Sequence, residues 1–512
     1  MEALDQILRL QVLNDFWLTI FMVIPMVLIS RTVVAGTRYS PILIIVIFGL
    51  AMGYVLVASG VATPGLVEFP VVDLISKVTL VALIVSFFVG GQELRKILGK
   101  ISLEKDDMVI ASQQELVLGT NSTQLFYLIR TFFLLLGIEG LNRIILGAGA
   151  ADVLANSYPL IAYIGLVGAI ILIDPKATVK NKPLYIRKGL YEIGAILLVL
   201  FISFNIAQLV KPVIALPQIF FAMILSAAFG AVLYKWFAGP TVRALLFAGI
   251  PVVLAANFMI GGSRIAEAFK LTGMNAVMAY GFFGQLFWMF GGLALLIFFG
   301  AANHVRNLAP GMAGALSHSG LTGACTAGDL GEKAAMRAPI MINIPFFGHV
   351  FVFSVLAISA QREQLLVSWA LLIAAIGLLL TIQSLRTLRN AAGEDSKEVK
   401  GLMQFSMGWQ LIAVFGGLLL LNISDLPMNY AAMAQSSAIS HFGLFAAIQG
   451  GMFGETAAEL IPFIFAMPFL VHPLVFGMFG KAMEREGRML EKVVYFLAIT
   501  GLIGIIYAIM FV

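Results

Sequence analysis

The chain has 512 residues, of which 60% are hydrophobic and only 12% are charged, and this composition excludes a soluble globular domain. The net charge of +5 does not indicate nucleic-acid binding, because the basic residues cluster in short loops. The single cysteine, Cys325, excludes an internal disulfide and a cysteine-based metal site. With a mean hydropathy of +0.99, the chain is predicted to be a membrane protein.

Apolar runs of about 18 to 25 residues, each long enough to cross a membrane, recur along the whole chain. With two polar, glycine-rich stretches, they predict an all-α polytopic membrane protein of about 14 transmembrane helices plus two re-entrant hairpins. Arg130, Glu139 and Arg143 interrupt one run, for which a partly interfacial position is open. The spans are predicted near 15–35, 41–60, 70–93, 124–147, 157–173, 187–210, 214–236, 243–262, 275–300, 338–360, 364–386, 403–423, 461–480 and 490–511.

Basic residues orient the predicted spans, because Lys and Arg concentrate in cytoplasmic loops. One assignment places every basic cluster in the cytoplasm. It puts the N-terminus outside and returns each polar stretch to the side from which it entered. We therefore predict a multi-pass protein of the cell (inner) membrane.

Four of the five histidines lie in two copies of one sequence, 123 positions apart. The copies cover 317–353 and 440–476, and 16 of their 37 aligned positions are identical without a gap. Both begin with Ser-His-x-Gly-Leu. Because ionisable groups inside a membrane are costly and usually functional, the repeat indicates a binding site.

The charges of the two copies indicate opposite membrane orientations. Residues 331–337 include two basic side chains, whereas the equivalent 454–460 include none. The positive-inside rule therefore places the first copy's loop inside and the second copy's loop outside. Such inverted-topology repeats are typical of transporters. The repeat continues upstream from 285–293 to 410–418, and a weaker antiparallel pair matches 41–56 with 217–233 and 87–91 with 258–262.

The segments 310–330 and 433–452 are too polar to face lipid and too apolar for solvated loops. Glycine weakens a helix by about 1 kcal/mol per residue, so a broken or re-entrant hairpin is predicted for each segment. Hydroxyls and freed carbonyls suit a cation, while half-helix N-termini and histidines suit a carboxylate. The predicted substrate-binding residues are Ser317, His318, Ser319, Gly320, Thr322, Ser440, His441, Gly443 and Gln449, and the predicted Na+ ligands are Thr322, Thr326, Asp329, Ser436 and Ser437.

Structural roles compete with these assignments. Small residues let membrane helices pack closely, which accounts for the glycines and alanines but not for the paired Ser-His. Glu332 and Glu455 are further candidates, although both suit the charge of a helix N-terminus at the water boundary. His349 and His472 are candidates that packing with a single hydrogen bond would also explain.

The hairpin residues 315–324 resemble the Gly-His-x-Gly-x-Gly hairpin of the glutamate:sodium symporter family, with Ser317 in place of the first glycine. Residues 344–351 resemble the helix that follows it in that family. Tyr39 to Pro41, 72–96 and 216–230 are similar to its scaffold spans. The resemblance covers more than half of the chain, through short motifs. It implies an elevator-type secondary transporter that couples Na+ to the uptake of a small organic anion.

The chain departs from that family after its third span, where no His-Gly hairpin follows and the C-terminal copy stands in its place. We predict that the C-terminal copy supplies the missing half-site. The predicted organisation is 1–97 as a first scaffold-type repeat, 98–185 as an inserted cytoplasmic segment with extra spans, 186–386 as a second repeat, 387–402 as a cytoplasmic linker and 403–512 as an inverted hairpin repeat.

The expected function is secondary-active, Na+-coupled symport of a small organic anion such as glutamate or another carboxylate. A cation:proton antiporter and a proton-coupled carboxylate transporter remain open, as does an intramembrane enzyme with His/Glu acid–base chemistry, although enzyme activity is not expected. No cofactor is expected apart from Na+ as the coupling ion. The expected partners are the anionic substrate and membrane lipid; a homodimer is open and nucleic acid is not expected.

Overall fold

A computed structural model of the chain describes most of its apolar segments. Every regular element among these residues is helical, and no strand occurs among them. The described residues are 11–34, 41–66, parts of 80–91, 121–145, 158–171, 182–212, 218–232, 250–299, 305–316, parts of 321–341, 363–391, 394–422, 426–439, 441–449, 451–467 with 469, and 488–511.

Seven helices of more than ten residues are described in the N-terminal half. Several of their bounds follow from local chemistry. Pro41 opens the second helix, where the missing N–H of proline costs nothing because the first turn leaves that group unpaired. The helices are α1 (Gln11–Val34), α2 (Pro41–Ala58), α3 (Asn121–Ile145), α4 (Tyr158–Ile171), α5 (Lys182–Val210), α6 (Gln218–Val232) and α7 (Ile250–Ser263).

Besides the short helix Ile265–Ala268, the described C-terminal half contains nine further helices and one π-turn. Gly273, at φ 85°, precedes the first of these helices. The π-turn Ile412–Gly416 joins two of them without a break in direction. The helices are α8 (Met274–Phe298), α9 (Val305–Leu316), α10 (Glu363–Arg389), α11 (Asp395–Leu411), α12 (Gly417–Asn422), α13 (Met428–Ile439), α14 (Phe442–Gln449), α15 (Glu455–Ile464) and α16 (Arg488–Phe511).

Five of the described helical segments are long and apolar enough to cross a membrane, judged by length and composition. The chain is therefore compatible with an all-α membrane protein, as its composition predicts. The five segments are Ile186–Val210, Met274–Phe298, Val367–Arg389, Ser396–Asn422 and Met489–Met510.

The chain divides into two compact units. Unit 1 contains residues 1–35, 59–99 and 106–257, and unit 2 contains 36–58, 100–105 and 258–512. Within unit 1, α3 packs along α4 where Gly137 lies against Gly165. Arg130 of α3 donates from Nε to the carbonyl of Ala169 in α4 at 3.3 Å. The run at 124–147, which charged residues interrupt, forms one continuous helix over its described part.

The weaker sequence repeat corresponds to two equivalent helix crossings. In unit 2, a side chain on Gly53 of α2 would collide with the backbone oxygen of Met259. In unit 1, a side chain on Gly230 of α6 would collide with the backbone oxygen of Phe88 in the same way. Gly262 against Leu50 and Gly91 against Ala227 form a second matched pair. Glycine is required at each crossing, because the backbones approach too closely for a Cβ.

The main repeat corresponds to two sets of helices in unit 2. The first copy contributes α8, α9 and α10, and the second contributes α11 to α13 and α16. Helix α8 packs along α13 and α16 of the second copy, while α11 packs along α9 and α10 of the first. Each copy therefore buries its leading helix largely against the other copy.

Individual contacts repeat across this arrangement. Gly501 of α16 lies against Phe287 of α8, and Gly377 of α10 lies against Ile412, which is 125 positions after Phe287. Gly292 lies against Met312, and its counterpart Gly417 lies against Gln435. The repeat detected in the sequence therefore also holds in three dimensions.

The described contacts give the relative directions of these helices. Gly273, Tyr280 and Gly284 of α8 meet Tyr430, Gln435 and Ala438 of α13, so the two helices run in parallel. Helix α9 runs parallel to α11 in the same way, because Gly311 meets Leu402 and Gly314 meets Ser406. Each of α9 and α13 follows its own copy's leading helix through a short connection.

The helices that lead into the two polar segments begin upstream of 310 and 433. Helix α9 begins at Val305 and carries Pro310 inside it, and α13 begins at Met428. Leu308 and Ala309, which precede Pro310 in α9, are buried. Gly331 and Gly454 stand at equivalent positions and share a φ of 92°, a conformation that favours glycine.

Candidate functional site

The second Ser-His motif lies at a break between two helices. Helix α13 ends at Ile439 and α14 begins at Phe442, with His441 between them. The His441 N–H donates to the carbonyl of Ser436 at 3.3 Å, and the His441 carbonyl accepts from the Phe445 N–H at 3.0 Å. These bonds bridge the break, so the backbone there is supported by protein groups rather than lipid.

His441 is fully buried and caps the second half of the broken helix. Its Nδ1 accepts from the backbone N–H of Leu444, the third residue of α14, at 3.0 Å. This is the position at which a capping side chain satisfies an unpaired N–H. The Nε2 atom lies 2.6 Å from the amide nitrogen of Gln410, at the end of α11.

The cap determines the protonation state of the ring. Because Nδ1 accepts a hydrogen bond from the Leu444 N–H, it carries no proton, and the proton of a neutral imidazole lies on Nε2. Nε2 is then a donor, so the partner that pairs with it is the amide oxygen of Gln410. Rotation of the Gln410 amide by 180° exchanges the positions of its nitrogen and oxygen, so that the oxygen accepts from Nε2 of His441. A doubly protonated ring would lose the Leu444 bond.

Gln435 joins three helices on the adjacent face of α13. It accepts from the hydroxyl of Tyr280 on α8 at 2.8 Å and donates to the carbonyl of Ala413 in the π-turn. Gly417 leaves room for it, because a Cβ there would overlap the Gln435 amide. Both ends of this buried amide are therefore satisfied within the protein, which gives Gln435 a structural role.

The neighbouring serines differ from one another. Ser437 donates to the carbonyl of Ile464 on α15 at 2.9 Å and lies against Gly281. The hydroxyl of Ser436 is equally buried but has no hydrogen-bond partner among the described residues. Both were predicted as Na+ ligands, and only Ser436 offers a hydroxyl that no described group occupies.

The other described candidates lie nearer the ends of this region. Gly443 is in the first turn of α14, and Gln449 is its last residue and half-buried. Glu455 is exposed in the first turn of α15, where a carboxylate suits the helix N-terminus. Eleven predicted site residues lie outside the described residues: Ser317, His318, Ser319, Gly320, Thr322, Thr326, Asp329, Glu332, His349, Ser440 and His472.

Ion pairs lie on the segments that follow both hairpin regions. In the first copy, Glu398 at the start of α11 accepts from Arg337 at 2.6 Å and from Lys333 at 2.9 Å. Arg337 is fully buried. In the second copy, Glu459 of α15 lies 3.3 Å from Arg264. These pairs link each segment to a neighbouring helix.

Sequence reasoning missed two residues that complete the buried cluster. Gln410 appeared in the sequence only as the counterpart of Gln285 in the upstream part of the repeat. A glutamine retained at this position in both copies was the signal that could have identified it. Tyr280 carried no such signal, because its counterpart is Phe405. Both are buried, and both contact the second copy's α13–α14 region.

No family model, curated protein or solved structure matches this chain.

Proposed function

We propose that this chain is a secondary-active transporter that couples Na+ to the symport of a small organic anion, such as glutamate or another carboxylate. The proposed architecture has about 14 transmembrane helices, two re-entrant hairpins and inverted-topology repeats, and it works by an elevator-type motion. The proposed setting is the cell (inner) membrane, with the N-terminus outside. The substrate and membrane lipid are the proposed partners.

The reciprocal packing of the two copies carries this proposal. Helix α8 runs parallel to α13, which follows α11 through a short connection, as α9 follows α8. Antiparallel packing within each such hairpin makes α8 and α11 antiparallel, which is the relation expected of inverted repeats. Inverted repeats suit transport because an exchange of conformation between the halves exchanges inward and outward access.

The chemistry at the helix break supports a small ligand. Broken helices place polar backbone at membrane depth, and transporters use such sites near the bilayer midplane. The described side chains of this site are hydroxyls, amides and one imidazole. Oxygen atoms of this kind suit Na+, while hydroxyl and amide donors suit a carboxylate.

The hydrogen bonds of His441 favour Na+ over a proton at this position. A proton-coupled histidine must gain and lose a proton during the cycle. Protonation of His441 at Nδ1 would remove the bond from Leu444 and place a positive charge at the N-terminus of α14, where the helix dipole opposes it. Proton-coupled transport through this residue is therefore the second candidate.

Uptake by proteoliposomes containing the purified full chain tests the proposal. Radiolabelled L-glutamate, L-aspartate and succinate serve as probes, each under an inward Na+ gradient, an inward proton gradient or no gradient. We expect the Na+ gradient to drive accumulation of at least one probe, and protein-free liposomes to show none. Uptake driven only by the proton gradient would favour the second candidate. Absence of driven uptake in folded preparations would overturn the proposal.

A further inference from the structure

Two polar groups in the second copy are buried without a complete set of partners. The Ser436 hydroxyl has no partner among the described residues, and one end of the Gln410 amide has none there either. Both residues are fully buried. Buried polar groups in folded proteins are almost always paired, so an unpaired one calls for an explanation such as a ligand.

His441 bonds to both residues that carry these groups. The His441 ring contacts the Gln410 amide at 2.6 Å, and its backbone N–H donates to the Ser436 carbonyl at 3.3 Å. Both open groups therefore belong to residues that bond to His441 at the helix break, Gln410 through the ring and Ser436 through the backbone.

The protonation state of His441 determines what the open positions offer. Since the ring donates from Nε2 to the Gln410 oxygen, the amide end that remains open is the NH2 group, which only donates. The Ser436 hydroxyl also donates. Two neutral donors on residues that both bond to His441 suit an acceptor with two oxygens, and among small organic anions that acceptor is a carboxylate.

We propose that the Ser436 hydroxyl and the Gln410 amide bind the carboxylate of the transported anion, and that His441 is a positioning residue that holds both. This inference rests on the proposed function and identifies the contacts of its substrate. His441 itself does not touch the substrate here, because both of its ring nitrogens are occupied by protein groups.

The first copy's α9 lacks the equivalent hydroxyl. Ala313 stands at the position of Ser436, 123 residues earlier, and it is fully buried. Gln285, the counterpart of Gln410, is retained and buried. The carboxylate site therefore belongs to the second copy, and Ala313→Ser is a gain-of-donor variant that leaves the second copy intact.

Ligand-dependent thermal unfolding of the purified full chain tests this inference without requiring transport. Glutamate, aspartate, succinate and lactate are each compared with the methyl ester that removes a carboxylate charge. We expect at least one acid to raise the Tm more than its ester. We expect Ser436→Ala to weaken the apparent affinity for that acid by about tenfold or more. Ser406→Ala is the matched control, because Ser406 is a buried serine whose hydroxyl is paired with the Gly311 carbonyl at 2.7 Å.

Gln410→Glu provides a second variant that preserves the shape of the side chain. Its carboxylate still accepts from His441 Nε2 but repels a substrate carboxylate, so we expect it to lose acid binding while it remains folded. His441→Asn retains an N-cap acceptor for Leu444 and is expected to recover part of the affinity that His441→Ala loses. The affinity of the wild-type chain for the acid is expected to stay constant between about pH 6 and pH 8, because the His441 imidazole remains neutral over this range.

The outcomes separate this inference from the proposed function. Acid-selective binding that depends on Ser436 and Gln410, without gradient-driven uptake, would support the site and overturn transport. Uptake with wild-type acid affinity in Ser436→Ala and Gln410→Glu would overturn the site and leave transport standing. If no acid stabilises the wild type more than its ester, the carboxylate inference is wrong and bound water is left as the partner of these groups.

Discussion

The helices α9 and α13 occupy equivalent places in the two copies but differ in what they bury. Helix α9 presents Met312, Ala313 and Gly314, whereas α13 presents Gln435, Ser436 and Ser437 at the same positions. All three α13 residues are fully buried, as are Met312 and Ala313. The packing around the two helices matches closely, so the backbone arrangement was retained while the chemistry diverged.

The difference shows that a symmetric scaffold can carry an asymmetric site. Gly292 accommodates Met312 in the first copy, and Gly417 accommodates Gln435 in the second. The same glycine position serves an apolar side chain in one place and a hydrogen-bonded amide in the other. Exchange of residues between the two helices therefore tests which features belong to the scaffold and which to the site.

The largest effect is expected from Gly314→Ser, which gives α9 the residue found in α13. A Cβ at Gly314 would collide with the Met341 carbonyl, whereas the Ser437 hydroxyl bonds the equivalent Ile464 carbonyl at 2.9 Å. We expect Gly314→Ser to lower the free energy of unfolding by about 3 kcal/mol or more. The reverse change, Ser437→Gly, should cost about 2 kcal/mol through one hydrogen bond and helix propensity. Denaturant titration compares them, and equal losses would contradict the close approach at Gly314.

The second prediction converts the α13 arrangement to that of α9. Gln435→Met leaves the Tyr280 hydroxyl and the Ala413 carbonyl without their partner, and we expect a loss of about 2 kcal/mol. Tyr280→Phe reproduces Phe405 of the first copy. The double variant should be more stable than the sum of the two losses predicts, by about 1 kcal/mol in a double-mutant cycle. Strict additivity would show that the two side chains do not interact.

The third prediction compares the segments that follow the hairpin regions, where buried Arg337 has Leu460 as its counterpart. Glu398→Gln removes the carboxylate from a buried cation and should cost about 1 to 2 kcal/mol, whereas Arg337→Leu leaves Glu398 with Lys333 and should cost less. Glu394→Gln is the matched control. Lys397 hydrogen-bonds that exposed carboxylate and lowers its pKa, but solvent screens the pair, so the Tm should not change. A larger loss of unfolding free energy from Arg337→Leu than from Glu398→Gln would contradict the view that an unpaired buried Arg337 costs more than its replacement by leucine.

The smallest effect on stability is expected from Ser436→Ala, which reproduces Ala313. The hydroxyl has no partner among the described residues, so its removal breaks no described hydrogen bond. We expect the free energy of unfolding without ligand to change by less than about 0.5 kcal/mol, or to rise slightly. A loss above 1 kcal/mol would show that the hydroxyl is already paired in the unliganded protein.

The sequence predicted the helical membrane class and the repeat, because both depend on patterns that survive in a single chain. Apolar length predicted spans that include the five described segments long and apolar enough to cross a membrane, and the glycines of the weaker repeat mark the crossings at Gly53 and Gly230. The extent of α9 was less predictable. Its polar, glycine-rich composition did not predict the regular helix Val305–Leu316, which carries Pro310 inside it.

The candidate site was predictable only in part. The repeated Ser-His identified His441, but the roles of its neighbours depend on which way each side chain points. Ser436 and Ser437 are adjacent and chemically identical, and only their contacts distinguish an open hydroxyl from a paired one. Gln410 is 31 positions before His441, and their contact depends on how α11 packs against the helix break.

The interleaving of the two copies has a consequence for biogenesis. Helix α8 leaves the ribosome long before α13 and α16, against which it packs. During synthesis these faces of α8 therefore remain uncovered, and Gly281 and Gly284 lack their partners Ser437 and Ala438 until α13 has been made. Membrane insertion and final packing are thus separate events in time. A chain truncated after residue 394 would contain the helices of the first copy but none of the second-copy helices against which they pack.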